Sequence, residues 1–358
     1  MLQETDLRSR EAKLKVWLES KLPQAKNLSI SPLEKASAGF SNETYLFEAK
    51  WKERGEEKSR PMAIRWPPTG TPLFPDNDVL MQYRVMQCLG NSDLPVPRMY
   101  WCEEDESVLG VPFYVMGRIQ GKSPADYPPG PHARGMLFEA TLQRRRELWW
   151  RTVEAIAKIH TLDWQKLGLS FLGVPRDGRE ALERQIDKWE RWLDWGASES
   201  LPVQRAGIDW LRKNIFEPSH MGLCWGDARP GNMLYRNDKV VAVLDWEFAH
   251  IGPPETDLMY FLLSDQSFVD MYGFPRLEGL PGWDETVAYY EGLVGRKIEN
   301  APYYKALTFL SIAVMAVLLG KAVAAAGGME GFPSDFATNN WGTHKLAEFL
   351  GISQSRPG

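Results

Sequence analysis

The stretch from Trp225 to Glu247, WGDARPGNMLYRNDKVVAVLDWE, constrains this chain more than any other. Asp227 and Asn232 flank a turn made of Ala228, Arg229, Pro230 and Gly231. Met233-Leu234-Tyr235 is strand-like, Arg236 to Lys239 is a polar turn, and Val240 to Leu244 is a second apolar run. Two short apolar runs around an Asn-Asp turn read as a β-hairpin. The hairpin therefore carries a carboxylate and a carboxamide at its entrance, and the carboxylates Asp245 and Glu247 at its exit.

Phosphoryl transfer suits this arrangement. The reaction needs an acceptor hydroxyl held in line, a carboxylate to take its proton, and Mg²⁺ to neutralise phosphate charge. Mg²⁺ takes oxygen ligands, one or two from protein and the rest from phosphate and water. Asp227 can serve as the base, and Asn232 and Asp245 as metal ligands, with Glu247 at a second metal or acting through water. Arg229, inside the turn, is placed to stabilise transferred charge.

The block resembles the aminoglycoside-phosphotransferase-like kinases, relatives of protein kinases with a pattern near H-G-D-x-x-x-x-N followed by a strand and D-x-[DE]. Gly226, Asp227, Asn232, Asp245 and Glu247 match it, and Trp225 stands where the family most often has His. The WGDARPGN version is similar to the branch that includes kinase domains linked to acyl-CoA dehydrogenases. The resemblance implies an α+β, bilobal, protein-kinase-like fold. A small antiparallel-sheet lobe over residues 1–116 would bind nucleotide. A larger, mainly helical lobe over 117–358 would hold the catalytic and acceptor sites, with a hinge at about 115–121. It also implies ATP and Mg²⁺ as cofactors and a small-molecule hydroxyl as acceptor. A hairpin with surface carboxylates is the structural alternative, and it leaves the order of the other segments unexplained.

Those segments follow the family order. Apolar residues spaced among charges predict an amphipathic helix over 9–22, ending near Pro23. Gly39-Phe40-Ser41-Asn42, before a strand at 45–49, resembles the loop that covers the nucleotide phosphates, where small residues let backbone N–H groups approach. Trp51 to Arg60 reads as a charged, solvated hairpin tip. The strand at 61–66 carries Arg65 where kinases place a phosphate-binding lysine, and Arg can fork across two phosphate oxygens. A helix over 76–89, capped by Asp76 or Asn77, sets Gln82 where kinases place the glutamate that holds that basic residue. Asp78 is the other candidate. Strands at 99–102 and 112–116 lead to Val115–Gly121, which resembles the hinge. Met116, Gly117 and Ile119 would offer backbone groups to adenine there. Helices are expected from about 142 to 161, over 179–195 and over 205–216, with His160 as a structural helix-end residue. Asp257, in Gly252–Leu258, matches the residue that braces the catalytic loop.

Two near-misses are set aside. Gly117 to Ser123 lacks one residue of a P-loop, and Gly39 to Glu43 fails the G-x-S-x-G pattern at its last position.

Composition bounds the remaining classes. The 358 residues are 44% hydrophobic and 25% charged with a net charge of −5, globular and unlike a nucleic-acid binder. Three cysteines without metal spacing fit a reducing cytoplasm. The N-terminal residues show no apolar signal segment, and the apolar run at 306–320 is short of a bilayer span, so neither secretion nor a membrane is expected. For the acceptor, the helical region at 141–220 carries a net charge of +2 and residues 261–358 carry −3. That balance does not favour a polycation such as an aminoglycoside. A cluster of Arg144, Arg145, Arg146, Trp149, Trp150, Trp189, Arg191 and Trp192 fits a CoA thioester. The leading expectation is a hydroxyacyl-CoA kinase. The alternatives are an aminoglycoside or other small-alcohol kinase, and a nucleotide-binding pseudokinase suggested by Arg65 and Gln82.

Overall fold

The computed structural model describes residues 4–36, 41–68, 70, 72–126, 128–197, 200–328 and 332–353. It divides into two compact units: residues 1–91 with 96–120, and residues 92–95 with 121–358.

The first unit is built on a long hairpin. Strands β3 (Glu43–Glu53) and β4 (Glu56–Trp66) pair antiparallel over their full length, from Glu43 opposite Trp66 to Glu53 opposite Glu56. Alternation along β3 turns Tyr45, Phe47, Ala49 and Trp51 inward, as a period of two requires. The charged run at 51–60 is thus the solvated hairpin tip expected, with strand pairing carried down to the turn. Only Arg54 and Gly55 turn the corner, both at positive φ (53° and 86°), a conformation that matches strand twist in two-residue hairpins. β1 (Lys26–Ile30) and β2 (Glu34–Lys35) pair with β3, and β6 (Phe113–Gly117) pairs with β4 and with β5 (Met99–Glu103). β4 is thus an interior strand.

Two helices cover this sheet. Helix α1 (Glu4–Lys21) buries Leu14, Trp17 and Leu18, spaced i, i+3, i+4, in the core with Phe47, Trp66 and Phe113. Helix α2 (Val79–Leu89) starts one turn later than expected. Asp78, not Asp76 or Asn77, caps it by accepting from the N–H groups of Leu80 and Met81 at 2.9 Å each.

The second unit is mainly helical. α3 (Gly135–Phe138) is a single turn. α4 (Leu142–Thr161), capped by Thr141, packs on α8 (Trp283–Val294) and on the short strand β7 (Gly222–Cys224). α5 (Gly178–Gly196), α6 (Pro202–Lys213), α7 (Glu255–Tyr272) and α10 (Trp341–Leu350) surround α9 (Ala301–Ala325). Glycine lets the helices close in: a Cβ at Gly342 would lie 2.5 Å from the Ala313 backbone nitrogen. At 25 residues, α9 outruns the 15-residue apolar stretch read from sequence. Length and composition alone would let it cross a bilayer, yet 61% of its apolar window is buried in the fold. β8 (Met233–Arg236) and β9 (Lys239–Val243) form the expected hairpin, turned by Asn237 and Asp238 at φ 51° and 59°. β10 (His250–Gly252) pairs with β7.

A charge network inside the first unit generates a pH prediction. Buried Glu43 accepts from Lys35 Nζ (2.8 Å) and Trp66 Nε1 (3.0 Å). Burial acts to raise its carboxyl, but these bonds and the Lys35 and Arg10 charges pull it below the ordinary glutamate value. Its contribution to stability is therefore present above the unfolded glutamate value, near pH 4.3, and is lost as pH falls through the lower folded value. Glu43→Gln is expected to lower stability by about 1–3 kcal/mol at pH 7. The gap between the two proteins in urea unfolding should narrow below pH 4.

Candidate active site

The turn before β8 is fixed from below by one carboxylate. Asp257, in the first turn of α7, accepts from the backbone N–H groups of Trp225 (2.6 Å, Oδ2) and Gly226 (2.8 Å, Oδ1). Its Oδ2 also meets His160 Nε2 at 3.0 Å, and the His160 Nδ1 lies 2.8 Å from the Tyr290 hydroxyl. All of these side chains are buried. Asp257 is thus the brace the sequence suggested, and His160 is the structural helix-end residue expected of it. Gly226 is required by its backbone: φ is +87°, and a Cβ would lie 2.4 Å from the Phe248 carbonyl oxygen.

Trp225 does more than fill space. Its indole N–H donates to the Leu244 and Asp245 carbonyls (2.9 and 3.2 Å). The residue that departs from the family histidine therefore ties the start of the turn to the end of β9. Asn232 adds a second tie, because the Leu244 N–H donates to its backbone carbonyl at 2.9 Å. These bonds bring Asn232 and Asp245 together. Asp245 sits at φ +59°, in the left-handed region, which for a non-glycine residue concentrates at functional sites.

Asp227 is 3% exposed. Its Oδ2 accepts from Asn232 Nδ2 (2.6 Å) and Arg229 Nε (3.1 Å), and Arg229 Nε lies 2.9 Å from Oδ1. The carboxamide expected to hold a metal thus holds the Asp227 carboxylate through its nitrogen. Arg229 also reaches Asp126, with Nη1 2.6 Å from Oδ2. Burial acts to lower the Arg229 guanidinium, but the charges of Asp227 and Asp126 raise it. Burial pushes the Asp126 carboxyl up to about 6. Arg229 opposes that rise, and Asp227 and Asp245 add to it. Tyr260 faces the same group: burial and the Asp227 charge hold its phenol far above the ordinary value.

Sequence reasoning missed Asp126 and Tyr260. Tyr260 was findable, since it lies three residues after Asp257 and therefore on the same face of a helix. Asp126 belongs to no local pattern.

The donor set suits Mg²⁺. Asn232, Asp245 and Glu247 carry oxygen atoms of the kind Mg²⁺ takes, while no group of three or more His, Cys, Asp or Glu that could hold a metal occurs among the described residues. A hard ion that keeps phosphate and water ligands needs no larger protein cage.

In the first unit, Arg65 is 9% exposed on interior β4, opposite Thr44 and Tyr114. Gln82 is fully buried on α2, but neither of its amide atoms has a hydrogen-bond partner among the described residues. The bond to Arg65 that its position suggested is not formed. Gly39 and Phe40 lie outside the described residues. Ser41 and Asn42 are buried, and the Ser41 carbonyl accepts from Asn77 Nδ2 at 3.0 Å. Met116 pairs in the sheet, and the Gly117 N–H already donates to the Arg98 carbonyl at 2.8 Å, so that donor is not open to adenine. Ile119 is partly exposed past the strand end.

The tryptophan and arginine cluster proves largely structural. Arg144 pairs with Asp238, Arg145 donates to the carbonyls of Leu137, Phe138 and Glu278, and Arg146 pairs with Glu285. Trp149, Trp189 and Trp192 are core residues.

Asp257→Ala strips three donors of a buried acceptor. It is expected to cost about 3–5 kcal/mol, measured by urea unfolding. Trp225→Phe removes the indole donor and leaves a void at a fully buried site, and should cost about 2–4 kcal/mol by the same measurement.

Known proteins agree with this geometry. The phosphotransferase enzyme family, APH, matches residues 32–289. Acyl-CoA dehydrogenase family member 10 of Mus musculus is 28% identical over 288 residues, which is 77% of this chain and 25% of that protein. Family member 11 of Homo sapiens is 27% identical over 292 residues, 78% of this chain and 35% of that protein. The chain therefore spans about a quarter to a third of the length of these curated relatives. A crystal structure from Ralstonia eutropha ascribed to an aminoglycoside phosphotransferase is 26% identical, with a TM-score of 0.68 over 94% of this chain and 96% of that one. The aminoglycoside phosphotransferase APH(4)-Ia, in a ternary complex with ADP and hygromycin B, shares the fold. Its TM-score is 0.58 at 15% identity, over 95% of this chain and 98% of that one. With its antiparallel-sheet first unit, its mostly helical second unit and the braced Asp227 turn, the chain belongs to the APH phosphotransferase family and is a kinase-type phosphotransferase.

Proposed function

We propose that this protein transfers the γ-phosphoryl group of ATP to the hydroxyl of a small molecule, with a hydroxyacyl-CoA as the acceptor. One observation carries the transfer reading: a buried carboxylate, Asp227, gripped by Asn232 and Arg229 in a turn whose backbone is held by Asp257. Such a group is fixed in one orientation before any substrate arrives, which is what in-line transfer asks of a base. Asp227 accepts the proton of the acceptor hydroxyl as its oxygen attacks the γ-phosphorus and the bond to the β-phosphate oxygen breaks, giving ADP. Bound Mg²⁺ supplies neutralisation of phosphate charge, and Asn232, Asp245 and Glu247 are the residues that would hold it. Arg65 and the segment from Gly39 to Asn42 hold the phosphates. Arg229 holds Asp227 in place, and its part-exposed face stabilises charge on the transferred group.

The acceptor assignment rests on the relatives. Those named as acyl-CoA dehydrogenases join a segment like this one to acyl-CoA chemistry, and the near-neutral acceptor-side charge does not favour a polycation. The Arg and Trp cluster adds nothing, because its side chains are engaged elsewhere. The intact Asp227, Asn232 and Asp245 geometry favours turnover over a pseudokinase. The three free cysteines match the proposed reducing cytoplasm.

ADP release from Mg·ATP across 3-, 4- and 5-hydroxyacyl-CoA esters, free hydroxy acids, choline and kanamycin tests this reading. Turnover with one CoA ester is expected, and Asp227→Ala should reduce it by about 10²-fold or more. Turnover with kanamycin alone would overturn the acceptor assignment. Binding of Mg·ATP without any acceptor-dependent ADP would favour the pseudokinase.

A further inference from the structure

Asp126 is far from the catalytic turn in sequence but is built into it. The chain reaches the turn through an added bridge: Lys122 and Tyr235 of β8 exchange both backbone hydrogen bonds, at 2.9 and 2.8 Å. Gly121 makes the approach possible, since a Cβ there would lie 2.9 Å from Leu234 Cβ. Four residues after Lys122, the Asp126 carboxylate lies against Gly231, where a Cβ would come within 2.5 Å of Asp126 Cγ. Gly231 is not at positive φ, so space alone requires glycine there. The result is one guanidinium held from two sides. Asp126 takes Arg229 Nη1 at 2.6 Å, and Asp227 takes Nε at 2.9 Å.

Geometry gives Asp126 a task that a surface ion pair would not have. Arg229 has several rotatable bonds, and Asp227 alone fixes only its Nε end. A second carboxylate at Nη1 fixes the plane of the fork. Asp126 is one-fifth exposed and Asp227 4%, so the pair also grades the site from its rim to its buried base. We propose that Asp126 is a positioning residue for phosphoryl transfer, holding Arg229 by Nη1 so that Nε stays on Asp227 and fixes the orientation of the base. The proposal rests on the phosphotransferase reading above.

A double-mutant cycle on ADP release tests it, using wild type, Asp126→Asn, Arg229→Gln and the double variant. Mg·ATP is supplied with water and, separately, with 4-hydroxyacyl-CoA as acceptor. Asp126→Asn is expected to lower kcat about 10-fold while KM for ATP stays within about twofold. Asp126→Glu should restore most of the loss. In the Arg229→Gln background, Asp126→Asn should have no further effect, because the residue acts through Arg229. Gly231→Ala, which displaces the Asp126 carboxylate without removing it, should reproduce the fall and covers the case of an unstable Asp126→Asn. Multiplying losses in the double variant, or variants that shift only the melting temperature, overturn the proposal while the phosphotransferase reading stands. A wild type that forms no ADP with either acceptor overturns that reading and the proposal with it.

Discussion

The rest of this site depends on the carboxylate of Asp257. Two consecutive backbone N–H groups, of Trp225 and Gly226, point at its two oxygens, and a buried histidine holds it from the far side. Left unpaired in the interior, those N–H groups would each cost on the order of 1–3 kcal/mol. Because the acceptor comes from the first turn of α7, the turn that presents Asp227 is anchored to a helix of the second unit's core. The left-handed aspartate above it, Asp245 at φ +59°, persists because this anchor and the Trp225 indole over-determine the backbone.

Charge is arranged with equal economy. Burial raises the Asp126 carboxyl, Arg229 opposes the rise, and the charges of Asp227 and Asp245 add to it. Arg229 is the cation that pairs with both Asp227 and Asp126. Burying an unpaired carboxylate would cost several kcal/mol and would neutralise it instead. A single guanidinium shared by two carboxylates leaves the cluster net negative, a charge that suits the divalent cation and the alcohol proton of the proposed reaction.

Much of this was legible in the sequence because it is local. The spacing from Asp227 to Asn232, the hairpin and the exit at Asp245 follow from turn residues and alternation within one short block, and Asp257 follows from a second. What the sequence hid depends on distant segments meeting. Asp126 is an ordinary loop aspartate until the bridge from Lys122 to Tyr235 places it on Gly231. Trp225 stands where the family most often has histidine, and only the end of β9 reveals the carbonyls its N–H serves. The charged run at 51–60, by contrast, is the exposed hairpin tip that its charge suggested. Its strands form because the partner residues pair in register down to Arg54 and Gly55. The Arg and Trp cluster misled. Composition suggested a ligand surface, whereas the side chains meet carboxylates, carbonyls and core.

The central claim is that Asp227 directs a phosphoryl group to an alcohol. The most direct measurement is mass spectrometry of a hydroxyacyl-CoA after incubation with Mg·ATP and the protein, beside the same reaction with Asp227→Asn. The account predicts that wild type adds the mass of one phosphoryl group at the hydroxyl, matched by ADP, and that the variant adds almost none. An acceptor of unchanged mass while ATP is hydrolysed to free phosphate, or equal phosphorylation by the Asp227→Asn protein, would contradict it.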